Sequence, residues 1–201
     1  MTPPSDYVLR LPEGWFRVHL DPDRRRKSVD ALVERQFAGA DDLPHLKKEA
    51  RSELLARARK AYKNGGVELY LSLQKAGRLT IPASLLITLV PPRTAQGLPL
   101  DALAEHLAAN GPLEQEVSLE ELPAGNSCRV RARRALEEPA GEPHPEELAE
   151  LSSAPATSVD HYIEIPGSRA LLLLSFSTPL DPIADAMAEL FDAVAHSLTW
   201  T

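Results

Sequence analysis

Val159-Asp160-His161-Tyr162-Ile163-Glu164-Ile165, then Pro166-Gly167, then Arg169-Ala170-Leu171-Leu172-Leu173-Leu174-Ser175-Phe176-Ser177 read as two strands joined by a tight turn. The first alternates apolar and polar side chains, the period of a strand with one wetter face. The second shows no alternation from Leu171 to Leu174, which predicts a central strand covered on both faces. Behind it, Asp181-Pro182 is a cap followed by proline at the first helical position. Ile183, Ala186, Met187, Leu190, Phe191, Val194, Ala195 and Leu198 then recur at helical spacing and define an apolar stripe. A hairpin followed by a helix that needs an apolar floor implies sheet and helix packed as layers of one core.

The same pattern repeats upstream. Tyr7 to Leu11 reads as a short strand, Pro12-Glu13-Gly14 as a turn, and Trp15 to Leu20 as a second strand. Asp21-Pro22 opens a helix with Val29, Leu32, Val33 and Phe37 along one face, and a second helix from about Leu43 to Lys63 stops at Asn64-Gly65-Gly66. Val67, Leu69, Leu71 and Leu73 alternate with Glu68, Tyr70, Ser72 and Gln74, so a strand follows. After a turn at Lys75-Ala76-Gly77-Arg78 comes a strand from Leu79 to Val90, where Pro82 marks an edge or a bulge. Leu98 to Ala109 is a helix, and Leu113 to Glu121 and Ser127 to Ala135 are strands around Pro123-Ala124-Gly125-Asn126. Leu136 to Thr157 differs in texture: Pro139, Pro143, Pro145 and Pro155 stand among six glutamates, which reads as a long mobile acidic loop with one helical turn near Glu146 to Leu151. The prediction is a single α+β domain over 1–201 with a largely antiparallel sheet flanked by helices.

Composition narrows the function classes. At 43% hydrophobic and 25% charged, the 201-residue chain is ordinary for a globular protein and large enough to bury a core without metals or disulfides. A net charge of −7 argues against non-specific nucleic-acid binding, which needs a basic field. Cys128 is alone, so neither an intramolecular disulfide nor a cysteine-based zinc site can form. Met1 to Asp6 has no basic region or apolar run, and the apolar stretch Ala170 to Leu174 is far too short to cross a bilayer. The expectation is a cytoplasmic chain without membrane insertion.

Few residues group into chemistry. If the strands carrying Cys128 and His161 pair, thiol and imidazole come within reach as nucleophile and base; the bland reading has both buried on apolar faces and outweighs it. His144-Pro145-Glu146-Glu147 with Glu150 offers ligand types, but a proline-rich loop lacks a supporting shell, so no metal is expected. No phosphate loop or His-Glu-x-x-His helix is present, and no cofactor is expected. Arg129, Arg131 and Arg133 share one strand face and could grip an acidic partner. Glu114, Glu116 and Glu120 on the preceding strand, with Asp160 and Glu164 on the following one, favour a solvated cross-strand charge ladder instead. Arg24-Arg25-Arg26-Lys27 opposes the macrodipole at a helix start, so it is either a solvated run or a binding patch. Tyr70 and Tyr162 fall on the wetter sides of their strands, where they anchor a partner or lie under a helix.

Three stretches carry a family resemblance. Leu11-Pro12-Glu13-Gly14-Trp15, the hairpin from Tyr162-Ile163-Glu164-Ile165-Pro166-Gly167 into Leu171 to Pro179, and the closing Leu198-Thr199-Trp200 resemble the PsbP/Mog-like superfamily. That likeness implies an α/β/α sandwich, and its members include photosystem extrinsic subunits, a Ran-binding nuclear factor, bacterial lipoproteins and secretion-effector chaperones. They act mostly by binding. The chain lacks the lipoprotein signal and cysteine, which would place it with cytoplasmic bacterial members.

The expectation is thus a non-enzymatic protein-binding module, an adaptor or chaperone linked to a secretion system, with a protein partner encoded nearby. The alternatives are an immunity or inhibitor protein meeting a basic toxin through Glu137, Glu138 and Glu142, and a thiol hydrolase built on Cys128 and His161.

Overall fold

The computed structural model describes residues 2–38, 44–77, 79–92, 97–112, 114–135 and 155–201. Strands β1 (Tyr7–Val8) and β2 (Trp15–Val18) precede helices α1 (Pro22–Gln36) and α2 (Pro44–Lys63). Then come β3 (Gly66–Ser72), the two-residue strands β4 (Lys75–Ala76) and β5 (Leu79–Thr80), and β6 (Ser84–Val90). Helix α3 (Leu100–Asn110) leads to β7 (Gln115–Leu122), β8 (Gly125–Ala135), β9 (Pro155–Glu164) and β10 (Leu171–Thr178). A 3-10 turn over Asp181–Ile183 enters α4 (Ala184–His196), and β11 (Thr199–Trp200) follows.

Among the described residues, one seven-stranded sheet runs in the order β2-β3-β6-β10-β9-β8-β7, with every neighbouring pair antiparallel. β10 lies in the middle, as its unbroken leucines imply. Its two faces are not covered alike, however. Leu172, Leu174, Phe176 and Thr178 are buried, whereas Leu171, Leu173, Ser175 and Ser177 are half-buried. On the first face α4 lays Met187, Ala188, Phe191, Val194 and Ala195 against Leu85, Ile87, Val159, Leu174 and Phe176. On the second, α1 and α2 cover the β2–β3 end around Val18, Val29, Leu32 and Val33, while α3 covers the β8 end around Leu103, Cys128 and Val130. Two separate helical layers leave the middle of that face less shielded.

The termini close on each other. β1 pairs with β11, the Ser5 amide donates to the Thr201 carbonyl at 3.1 Å, and the Thr201 amide donates to Asp6 at 3.0 Å. Tyr7 meets Trp200 edge to face at 6.5 Å, and the Trp200 indole donates to the Ala124 carbonyl at 2.7 Å. β1 therefore ends at Val8, where β11 runs out, and Leu9 and Leu11 pack beneath α4 instead of extending the strand. The strand expected from Leu79 to Val90 is broken at Pro82, which has no amide to donate; its carbonyl accepts from Thr178 Oγ1 at 2.9 Å. β9 begins at Pro155, so 155–157 are strand and not loop; their backbone pairs with Arg133, Arg134 and Ala135. The rest of the expected acidic loop, 136–154, lies outside the described residues. Among the described residues, no helix is long and apolar enough to cross a membrane.

The glycine stop after α2 has two jobs. Gly65 takes φ 84°, the left-handed turn that ends the helix. Gly66 admits the first strand residue against the helix: a Cβ there would stand 2.8 Å from the Ala61 carbonyl oxygen and 3.0 Å from Leu20. Backbone cannot yield as a flexible side chain does. Gly66→Ala is expected to cost about 1–3 kcal/mol in urea unfolding, as overpacking generally does.

Candidate functional site

The arginine row of β8 is the densest grouping of charge, and the sheet register decides what it faces. Arg129, Arg131 and Arg133 sit opposite His161, Val159 and Thr157 on β9, which places them on the face that α4 covers. Asp160 is registered with Val130 and lies with Glu164 on the other face, so neither joins the row. The partners come from the closing helical segment. Arg129 donates from Nε at 2.8 Å and Nη2 at 2.9 Å to the two oxygens of Asp192, Arg131 pairs with Asp185, and Arg133 donates to Asp181 at 2.6 Å. The strand glutamates stand further off, Glu120 at 3.8 Å from Arg129 and Glu114 at 3.7 Å from Arg133. The β7 half of the expected cross-strand ladder therefore holds at these longer distances for Glu114 and Glu120, the Asp160 and Glu164 half does not, and the shorter pairs run from sheet to helix. Aspartates at 181, 185 and 192 fall one and then two further turns along the helical segment, on one side of it.

At the buried end the ladder acquires a third member. His161 is fully buried, and its Nε2 lies 3.0 Å from Asp192 Oδ1. Burial alone would raise the Asp192 carboxyl, but hydrogen bonds from His161 and Arg129, and the guanidinium charge, outweigh it and hold it at about 2. Ser127 Oγ stands 3.5 Å from His161 Nδ1. Serine, histidine and aspartate are the residue types of an acyl-transfer triad. Here serine and imidazole are both wholly shielded from solvent, and Arg129 grips the carboxylate at two points. The arrangement fastens a helix to a sheet.

The thiol pair is not assembled. β8 and β9 do pair, but Cys128 is registered with Tyr162 and Arg129 with His161, so thiol and imidazole point to opposite faces. Cys128 packs with Leu100, Leu103 and Val130 under α3. Burial, and next the charge of Glu120, push its thiol up. Iodoacetamide at neutral pH is expected to leave Cys128 unmodified in the folded protein and to alkylate it in urea, as read by intact mass.

The remaining sequence candidates separate. Within the arginine run, Arg24 and Arg26 are exposed, but Arg25 is buried: its Nε donates to the Leu20 carbonyl at 2.9 Å and its guanidinium lies 5.4 Å from the Tyr62 ring centre. Arg25 closes the start of α1 and cannot join its neighbours in one patch. Tyr70 is on the α4 face, half-buried, and donates to Glu68 Oε2 at 3.0 Å. Tyr7 donates to the same oxygen at 2.8 Å, and Arg17 pairs with the other. Burial, with the Glu68 charge, pushes the Tyr70 hydroxyl up to about 12. Tyr162 lies beneath α3, and Tyr70 is half-buried with its hydroxyl engaged by Glu68. The acidic candidates Glu137, Glu138 and Glu142, and the His144–Glu150 grouping, lie outside the described residues. Among the described residues, no three of His, Cys, Asp and Glu gather to hold a metal ion.

Sequence reading did not single out the turn end of the sheet. Two adjoining cavities of about 420 and 440 Å³ open there and share Pro99 and Glu164. One lies against Leu119 and Asp101, the other against Leu98 and the Pro166-Gly167 turn. Leu98 and Leu119 are half-exposed at 50% and 55%. Glu164 accepts from the Asn126 amide at 3.0 Å, which holds its carboxylate across the mouth. Large apolar side chains left in water beside a concave surface with a few fixed polar groups are what partner contacts use. A third cavity of about 440 Å³ lies at the other end, between Arg131, Arg133 and the start of α4.

No family model matches the chain, and no curated relative does. It is similar in structure to LpqN of Mycobacterium tuberculosis, involved in cell envelope biogenesis, at 11% identity over 100% of this chain and 86% of that one, TM-score 0.49. It is also similar to the Ran-binding protein Mog1p of Saccharomyces cerevisiae, at 12% identity over 66% and 78%, TM-score 0.41. A third is cyanobacterial PsbP of Synechocystis, at 12% identity over 97% and 86%, TM-score 0.32. All three likenesses stand at 12% identity or less and at TM-scores below 0.5, so the α+β class rests on the sheet and helices described above.

Proposed function

We propose that this chain is a non-enzymatic protein-binding module whose partner sits in the groove between residues 97–101 and the turns at the end of β7–β8 and β9–β10. The observation that carries this reading is the pair of adjoining cavities rimmed by half-exposed Leu98 and Leu119. It gains support from the fate of the reactive side chains. Arg129, Arg131, Arg133 and His161 are engaged by the closing helical segment, and Cys128 is sealed under α3. The test is co-purification from the source cells with wild type and with a Leu98→Asp/Leu119→Asp variant. Wild type should retain one protein in stoichiometric amount and the variant should lose it, with unfolding free energies within about 0.5 kcal/mol of each other, since exposed sites contribute little to stability. Equal retention by both would remove the groove.

The finer reading is an adaptor or chaperone in the cytoplasm, tied to a secretion apparatus and serving a chain encoded nearby. It follows from the family resemblance, and the identity of the retained protein decides it. A second reading, an immunity or inhibitor protein for a basic toxin, is favoured by the acidic strand β7, whose charged residues Glu116, Glu120 and Glu121 are all of one sign. Steep weakening of the complex with salt is its mark.

A further inference from the structure

Strand β7 pairs with β8 on one side and, among the described residues, with no strand on the other. Alternate amides and carbonyls of its eight residues therefore point outward, the arrangement to which another strand adds. Natural edges are commonly blunted by proline, a bulge or charged side chains, lysine above all. Gln115-Glu116-Val117-Ser118-Leu119-Glu120-Glu121-Leu122 has no proline or lysine, and its register against β8 is unbroken.

Its charge selects an occupant. The arginines behind β7 neutralise it only in part: Asp192, Asp185 and Asp181 engage Arg129, Arg131 and Arg133 at shorter range, while Glu120 stands 3.8 Å from Arg129 and Glu114, just before the strand, 3.7 Å from Arg133. Glu116 and Glu121 make no ion pair among the described residues. Glu116 and Glu120 lie on the α4 face, four residues apart, while Leu119 and Glu121 lie on the α3 face beside the cavity lined by Asp101 and Glu164. A second copy of this chain suits the edge poorly. Self-pairing would bring the three glutamates of this strand near three more with no cation among its residues, and like charges across strands destabilise.

We propose that β7 is completed by an extended basic segment of a partner protein, added as a further strand. Its lysines or arginines lie against Glu116 and Glu120 on one face and Glu121 on the other, with an apolar side chain against Leu119. Backbone hydrogen bonds supply the docking, and the alternate side chains supply the choice of sequence. The inference deepens the binding-module reading and rests on it.

The experiment uses fluorescein-labelled peptides of about nine residues, the length of an ordinary strand pairing, built on a repeat of two lysines and a valine or of two glutamates and a valine, so that charge falls on both faces. Binding is followed by anisotropy, and the docked position by hydrogen exchange. The lysine peptide should bind wild type at least about tenfold more tightly than the glutamate peptide, weaken with salt, and slow exchange of β7 amides. In the Glu116→Lys/Glu121→Lys variant the preference should reverse. No protection of β7, protection elsewhere, or an unchanged preference in the variant would overturn the proposal. So would concentration-dependent dimers protected at β7, since the occupant would then be a second copy. If the peptide fails while the Leu98→Asp/Leu119→Asp variant still loses its co-purified protein, the groove stands and the edge falls. If the peptide protects β7 but no protein is retained by wild type, the groove falls.

Discussion

Asp192→Ala is expected to lower the unfolding free energy by about 3–5 kcal/mol, because removing one partner of a largely buried ion pair strands the other. The carboxylate is the shared acceptor for Arg129 Nε and Nη2 and for His161 Nε2. Without it a fully buried imidazole and a mostly buried guanidinium lose their common partner. The same group makes stability depend on acid. The Asp192 carboxyl is held at about 2 against an ordinary 3.8, so its ionised form belongs to the folded state. The stability it contributes is fully present above about pH 4 and is lost as pH falls through about 2. Because the side chain keeps 27% of its exposure, solvent screening reduces that contribution to roughly 1–2 kcal/mol. Asp192→Asn, which keeps shape without charge, should lose that part of the acid dependence. Urea unfolding at pH 7 and at pH 3 in wild type and both variants measures it, and equal acid sensitivity in wild type and Asp192→Asn would refute the assignment.

Phe191→Ala is the second large effect, at about 3–5 kcal/mol for truncating a buried aromatic. Phe191 is fully buried and stacks on Phe176 of the central strand, with ring centres 4.9 Å apart and planes at 16°. The loss would remove both the apolar burial and the ring contact that registers α4 on the sheet. Phe191→Leu keeps most of the volume and should cost less than half as much in the same urea unfolding experiment. Similar costs for the two would mean that refilling the volume recovers nothing and that the ring contact itself carries the loss.

What the sequence made legible was periodic. The helical stripe ending in Phe191, Val194 and Leu198 and the cap at Asp21, which accepts from the Arg24 amide at 3.0 Å, carry their geometry in local spacing. The alternation from Val67 to Gln74 gave the strand but not its faces, since a register shift at Gly66 leaves Val67 exposed and Ser72 is buried. The candidate site was less legible because it depends on register. Period-2 alternation places Arg129, Arg131 and Arg133 on one face, but whether Asp160 or His161 lies opposite Arg129 is a one-residue matter that inverts every pairing. Asp181, Asp185 and Asp192 were in plain view at helical spacing, and a helix known to cover that face would have identified them as the arginines' partners. Arg25 misled for another reason: position in a charged run says nothing about one side chain folding back onto the Leu20 carbonyl. The groove at Pro99 and Glu164 joins residues 65 positions apart, and no local pattern announces it.

If the inner charges serve to fasten α4, contact with another protein falls where Leu119 is exposed. A photo-crosslinking amino acid placed at Leu119, and separately at Ile183 beside the arginine cleft, tests this in the source cells. One discrete adduct from position 119 and none from 183 is the predicted result. An adduct from 183 with none from 119 would contradict it.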